Sequence, residues 1–227
     1  PIKMYKKSLE HRQELRSRAL RSLQKACKAA DAMAVQIEEA LYAVIFEAPG
    51  GFDKGVENSK KLGCHIKEYI KDTTGILVSV GIGRRYYEMR NLTKSYQEAL
   101  VACKNKFYLG ESQVIHWDDI IPYSKELVNI SGEVKAQLTS KVFSCDKSVI
   151  ELMVEDFFHT LITSTTHPVL LKAGIIEILY DLLNLASNTG EGQEELCFLG
   201  LEFIEKIGYS DTLSELKDQM TAALMAI

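Results

Sequence analysis

ILVSVGIGRRYYEMRNLTKSYQEALVACKNKFYLGESQVIHWDDI, residues 76–120, holds the clearest alternation of strand, turn and helix signals in the chain. It opens with a continuous apolar run, Ile76 to Ile82, of the kind a buried strand presents. Gly81, Ile82 and Gly83 then form a glycine turn ahead of two cations, Arg84 and Arg85. Leu92, Tyr96, Ala99, Cys103 and Phe107 recur at helical spacing as far as Leu109, and Gly110 supplies a C-terminal cap. Val114 to Trp117 reads as a short edge strand.

Upstream, Ala40 to Ala48 is a β-branched and aromatic run stopped by Pro49, Gly50 and Gly51, which predicts a buried strand and a turn. Lys54 to Lys71 places Val56, Leu62, Ile66 and Ile70 at helical spacing, and Asp72 to Gly75 ends that helix. Strand, helix and strand in about forty residues predict a crossover unit of a small mixed sheet. From Tyr5 to about Ile37 there is neither Gly nor Pro. Ala19, Leu23, Ala26, Ala30, Met33 and Ile37 step by four and three, the spacing of an a/d seam. The spacing predicts one long helix over 1–39, serving either as a dimer stalk or as a helix packed on its own domain.

After Pro122 no strand-like run with turn punctuation appears. Five amphipathic segments follow, near 124–143, 146–163, 168–187, 192–208 and 211–226, with Phe157, Phe158, Leu161, Ile175, Ile178, Leu182, Leu199 and Phe203 as core candidates. His167 and Pro168 open one helix, Asn188 to Gly192 form a loop, and Thr212 with Glu215 match a capping box. The expected class is therefore α+β and helix-rich: a small mixed sheet with crossover helices, followed by an all-helical bundle. Its expected parts are the long helix 1–39, an α/β domain 40–121 and a helical domain 122–227.

At 227 residues and net charge −4, the chain can bury a sizeable core but lacks the cationic excess that wrapping a nucleic-acid backbone requires. Residues 1–40 carry nine Lys and Arg against five Asp and Glu, and residues 191–227 carry two against eight, a distribution that solvated helix faces explain. Cys27, Cys64, Cys103, Cys145 and Cys197 are far apart and never spaced as CxxC, so they read as reduced thiols of a cytoplasmic protein. The five histidines show no HxxxH or HExxH spacing, and neither a metal nor a cofactor is expected. No apolar run approaches the length of a membrane span. Pro1 at the start and Met225 to Ile227 inside a helix-like pattern suggest a piece of a longer protein.

The tempting chemistry is thin. Gly81 to Arg85 offers amides and guanidinium groups to an anion, but the remaining positions of a dinucleotide fingerprint or a P-loop are missing, so a backbone turn with solvated arginines is the stronger reading. Tyr86 and Tyr87 would stack on a ring ligand or close over a core. Arg84, Arg85, Tyr86 and Tyr87 are thus the candidate ligand-binding residues. Asp118 and Asp119 are adjacent and point apart, which does not make an acid/base pair. No GxSxG elbow is present, and Cys64 beside His65 makes no nucleophile and base by adjacency.

Residues 76–120 closely resemble the middle region of YesN-type members of the AraC family of bacterial transcription regulators. The matching positions are Val80, Gly81, Ile82 and Gly83, then Leu92, Ser95, Tyr96, Glu98, Ala99, Ala102, Lys106, Phe107 and Gly110, and the acidic strand end Asp118 and Asp119. That segment is in turn similar to the second half of a GGDEF domain. By the likeness, Ala40 to Ala48 is the strand after the cyclase signature, where Gln36, Ile37, Glu38, Glu39 and Ala40 stand in place of the glycines and acids a diguanylate cyclase needs. Gly50, Gly51, Phe52 and Asp53 follow the strand rather than precede it. No arginine has an Asp three residues later, so the RxxD product-inhibition motif is absent too. The family's opening strand is not visible either, and the edge it leaves would need covering.

The resemblance implies a degenerate, non-catalytic GGDEF-like domain within a two-component response regulator. It would couple an upstream receiver or sensor to a DNA-binding domain of paired helix-turn-helix motifs outside this chain, in a homodimer. Two rivals stand beside it: a sensor of an anionic or sugar-phosphate molecule, and a residual nucleotide-processing enzyme.

Overall fold

The computed structural model describes residues 2–47, 52–120, 147–162, 167–187 and 193–226. The protein is α+β and helix-rich, and it divides into two compact units, Pro1–Ile120 and Ile121–Ile227.

The first unit begins with helix α1, Ile2–Ala29, followed by strands β1, Met33–Glu38, and β2, Leu41–Ile45. Here the long helix over 1–39 is corrected. The N–H groups of Ala30 and Ala32 both donate to the carbonyl of Cys27, and Asp31 takes a left-handed backbone (φ 50°), so the chain reverses and re-enters as a strand. Asp is among the few side chains that tolerate that conformation. Met33 and Ile37 are four residues apart, a spacing that suits both a helix face and alternate positions of a strand. β1 and β2 pair antiparallel, with Met33 opposite Ile45 and Val35 opposite Ala43, and an irregularity between Gln36 and Glu38.

Helix α2, Phe52–Thr74, ends where Gly75 (φ 73°) donates its N–H to the Lys71 carbonyl. β3, Val80–Ile82, and β4, Val114–His116, pair in parallel. Between them run a 3-10 turn, Met89–Asn91, helix α3, Leu92–Lys104, and the single helical turn α4, Lys106–Leu109, which Gly110 (φ 88°) closes. The expected helix Leu92 to Leu109 is interrupted at Asn105, a buried residue whose side-chain amide donates to the Val101 carbonyl. A second 3-10 turn, Trp117–Asp119, follows β4.

The four strands among the described residues do not make one mixed sheet. They form two separate pairs, the β1–β2 hairpin and the parallel β3–β4 pair. The expected strand Ile76 to Ile82 enters a ladder only from Val80; Ile76 and Val78 instead pack against a core of Leu23, Ala26 and Cys27 from α1 and Ile66 and Ile70 from α2, which Ala34, Tyr42 and Val44 of the hairpin also cover. On α2, Gly63 lies against Val114 and Ile82 of the parallel pair.

The second unit holds α5, Lys147–Ile162, α6, Pro168–Ser187, α7, Gln193–Tyr209, and α8, Leu213–Ala226. Phe158, Leu171, Ile175, Ile178, Leu182, Ile207, Leu216 and Met220 are fully buried at its centre. Thr212 and Glu215 form the capping box: the Glu215 N–H donates to Thr212 Oγ1 at 3.2 Å, while Glu215 Oε2 accepts from the Thr212 N–H at 3.3 Å and the Asp211 N–H at 2.6 Å. The segment near 124–143, the turn residues Pro49 to Gly51 and the loop 188–192 lie outside the described residues. No helix among the described residues is long and apolar enough to cross a membrane.

Candidate functional site

The GIG turn is built for contact between backbones. An ideal Cβ added to Gly81 would stand 2.0 Å from the Ala99 carbonyl oxygen, and one added to Gly83 would stand 1.9 Å from that of Ser95. Two glycines two residues apart share one face of an extended chain, and that face lies directly on the α3 row Ser95, Ala99 and Cys103. The glycines therefore admit a helix where a phosphate-binding loop would admit a ligand.

The residues that follow are fixed by a buried carboxylate. Glu98, 6% exposed, accepts the Arg84 N–H at 2.9 Å and the Tyr86 hydroxyl at 2.7 Å, and Ser95 Oγ donates to the Arg84 carbonyl at 2.7 Å. The bond to Glu98, reinforced by desolvation, holds the Tyr86 phenol above its usual pKa. A buried acid with two donors satisfies much of its acceptor capacity and costs far less than a bare one.

The cations are likewise engaged. Arg84 pairs with Asp118 Oδ1 through Nε and Nη2, both at 2.7 Å, and this bond raises its pKa further. The Arg84 guanidinium also lies 5.9 Å from the Trp117 ring centroid. Lys60 of α2 pairs with Asp119 at 2.7 Å, so the adjacent aspartates serve different cations, in keeping with their divergent directions. His116, only 2% exposed, accepts the Asp118 N–H at Nδ1 over 3.2 Å. Burial lowers its pKa, and Asp118 and Asp119 oppose that shift.

The four candidate ligand-binding residues thus divide by parity. Arg84 and Tyr86 turn to Asp118 and Glu98, whereas Arg85 stacks at 4.9 Å on Tyr87, which is 87% exposed. Their side chains go to different partners and do not converge on one pocket. Sequence reasoning missed Glu98, His116 and Lys60 as organisers of this region. Glu98 offered one signal: an acid beside the apolar stripe of α3, on a helix expected to pack against a strand.

The six seam positions also separate. Ala19, Leu23 and Ala26 are buried within their own unit, Leu23 at 4% exposure. Ala30 lies beyond the helix end, and Met33 (58% exposed) and Ile37 stand on β1. The seam is corrected to a packing face of α1 plus one side of a strand.

Elsewhere, an open depression of about 440 Å³ in the second unit is lined by Glu205, Lys206, Tyr209, Ser210, Glu215 and Gln219. Its Glu215 is already committed to the α8 cap. Cys27, Cys64, Cys103 and Cys197 take part in no disulfide among the described residues, and Cys145 lies outside them. Among the described residues no group of three or more His, Cys, Asp or Glu is placed to hold a metal ion. Comparison of the chain with family models, curated proteins and solved structures finds no match.

Proposed function

We propose that this chain is the non-catalytic, signal-relay region of an AraC-type transcription regulator of the response-regulator kind, acting in the cytoplasm as a homodimer. An upstream receiver or sensor would displace α1, and the change would pass through the α/β unit and the helical unit to a DNA-binding domain outside the chain. The supporting observation is the character of the positions that carry the resemblance. Gly81, Gly83, Ser95 and Ala99 are packing positions that set a strand on a helix, and a relay needs that geometry without needing catalytic side chains.

The hairpin turn supports the same reading. Where a cyclase would carry glycines and metal-binding acids, this chain has Glu38, Glu39 and Ala40, all exposed, with Glu39 paired to Arg16 at 2.7 Å. The test is the remainder of the reading frame. It should hold about a hundred further residues with two helix-turn-helix patterns, and the full-length protein should bind DNA. A frame without them, or cyclic dinucleotide formed by the chain from GTP and magnesium, would refute the proposal.

A further inference from the structure

The chain leaves the first unit through the 3-10 turn Trp117–Asp119, since that unit ends at Ile120. The Ile120 N–H closes the turn by donating to the Trp117 carbonyl at 3.3 Å. Two ion pairs tie it to other elements: Asp118 holds Arg84 at the end of β3, and Asp119 holds Lys60 of α2. His116 is the cap of the turn. Its ring, buried at 2% exposure, accepts the Asp118 N–H at Nδ1.

A neutral imidazole that accepts at Nδ1 carries its own proton on Nε2. The lone pair that caps the turn is therefore also the place where a second proton must go. Asp118 Oδ2 stands 3.6 Å from that nitrogen, while Oδ1 takes both contacts from Arg84. The charged groups that face the ring are Lys60 from α2, Arg84 from the end of β3, and Asp118 and Asp119 from the turn itself. On α3, Glu98 is held by the Arg84 N–H and the Tyr86 hydroxyl, Lys94 lies over the Tyr86 ring, and Lys104 is exposed.

We propose that this turn is a proton-operated latch on the exit from the first unit. A proton from solvent forms an N–H bond at His116 Nδ1 and removes the acceptor of the Asp118 N–H. The imidazolium then donates to Asp118 Oδ2 and draws the carboxylate away from Arg84, so the turn gives up its cap and its hold on the end of β3. Neutral His116 keeps the exit ordered, and charged His116 frees it. Burial holds the ring below its ordinary pKa of 6.5, with the two aspartates opposing. The latch is thus closed above about pH 6.5 and opens beneath it. The inference stands on the first unit alone and does not rest on the relay reading.

Nuclear magnetic resonance of the full chain tests it, with the His116 ring nitrogens and the Asp118 amide followed from about pH 7.5 to 5. The amide should shift with the same midpoint as the ring. Its hydrogen exchange, corrected for the intrinsic effect of pH, should quicken about tenfold, while that of Ala102, fully buried in α3, holds steady. His116→Asn offers an oxygen that does not titrate, and in this variant the Asp118 amide should stay protected throughout. If the variant does not fold, the two wild-type midpoints decide the matter alone. An Asp118 amide that stays protected while the ring titrates, a ring that stays neutral down to about pH 5, or a loss of protection that Ala102 shares would overturn the proposal. So would the same pH-dependent exchange in folded His116→Asn.

Discussion

Gly81 and Gly83 meet α3 with no room for a methyl group, so Gly81→Ala must force strand and helix apart and should cost about 3 kcal/mol. Gly75 provides the contrast: nothing lies within 4 Å of its missing Cβ, and its φ of 73° is the only obstacle. Gly75→Ala should cost about 1 kcal/mol, and urea denaturation of the two variants measures the difference. His116 makes stability depend on pH. Its folded pKa lies below the ordinary value of 6.5, so below that pH the unfolded chain binds the proton more readily than the native one. Stability should be full above about pH 6.5 and fall as the pH drops beneath it. His116→Asn keeps an acceptor for the Asp118 N–H and should flatten the profile below about pH 6.5. These contacts were legible only in part. The glycine turn stood out in the sequence, but its purpose depends on α3 lying across it, and the partner of Arg84 is 34 residues away at Asp118.

At the scale of elements, α1 is a packing helix over Ala19 to Cys27. Leu23→Ala should therefore cost about 3 kcal/mol, while Met33→Ser on the exposed side of β1 should stay within about 0.5 kcal/mol. Thermal unfolding of the two variants would show this, and a seam running through all six positions would instead make the losses comparable. Helix-forming segments with clear punctuation were readable before the structure: α2 stops at Gly75, α4 at Gly110, and α8 starts at the Thr212 and Glu215 box. The end of α1 was not, because a reversal at Asp31 carries no Gly or Pro. Nor was the fate of Ile76 to Ser79, since an apolar run reads alike whether it joins a ladder or only covers a helix.

Across the whole molecule, each unit has its own buried centre, around Leu23 and Ile66 in the first and around Phe158 and Leu182 in the second. A fragment ending at Ile120 should fold by itself, with a cooperative melt and dispersed amide resonances; a fragment lacking both would show that the first unit depends on the second. Charge divides along the same line. Residues 1–120 carry 20 Lys and Arg against 15 Asp and Glu, and residues 121–227 carry seven against 16. The split of the strands into two pairs has a mechanical consequence. Antiparallel hairpin and parallel pair share α2, which packs through Leu62 and Ile66 in the core the hairpin covers and through Gly63 against the parallel pair, but the ladders do not join. Side-chain packing resists sliding less than a hydrogen-bonded ladder resists rupture. A push on α1 is therefore delivered to the hairpin as a load, and α2 is the axle about which one half of the unit can shear while the other keeps its shape.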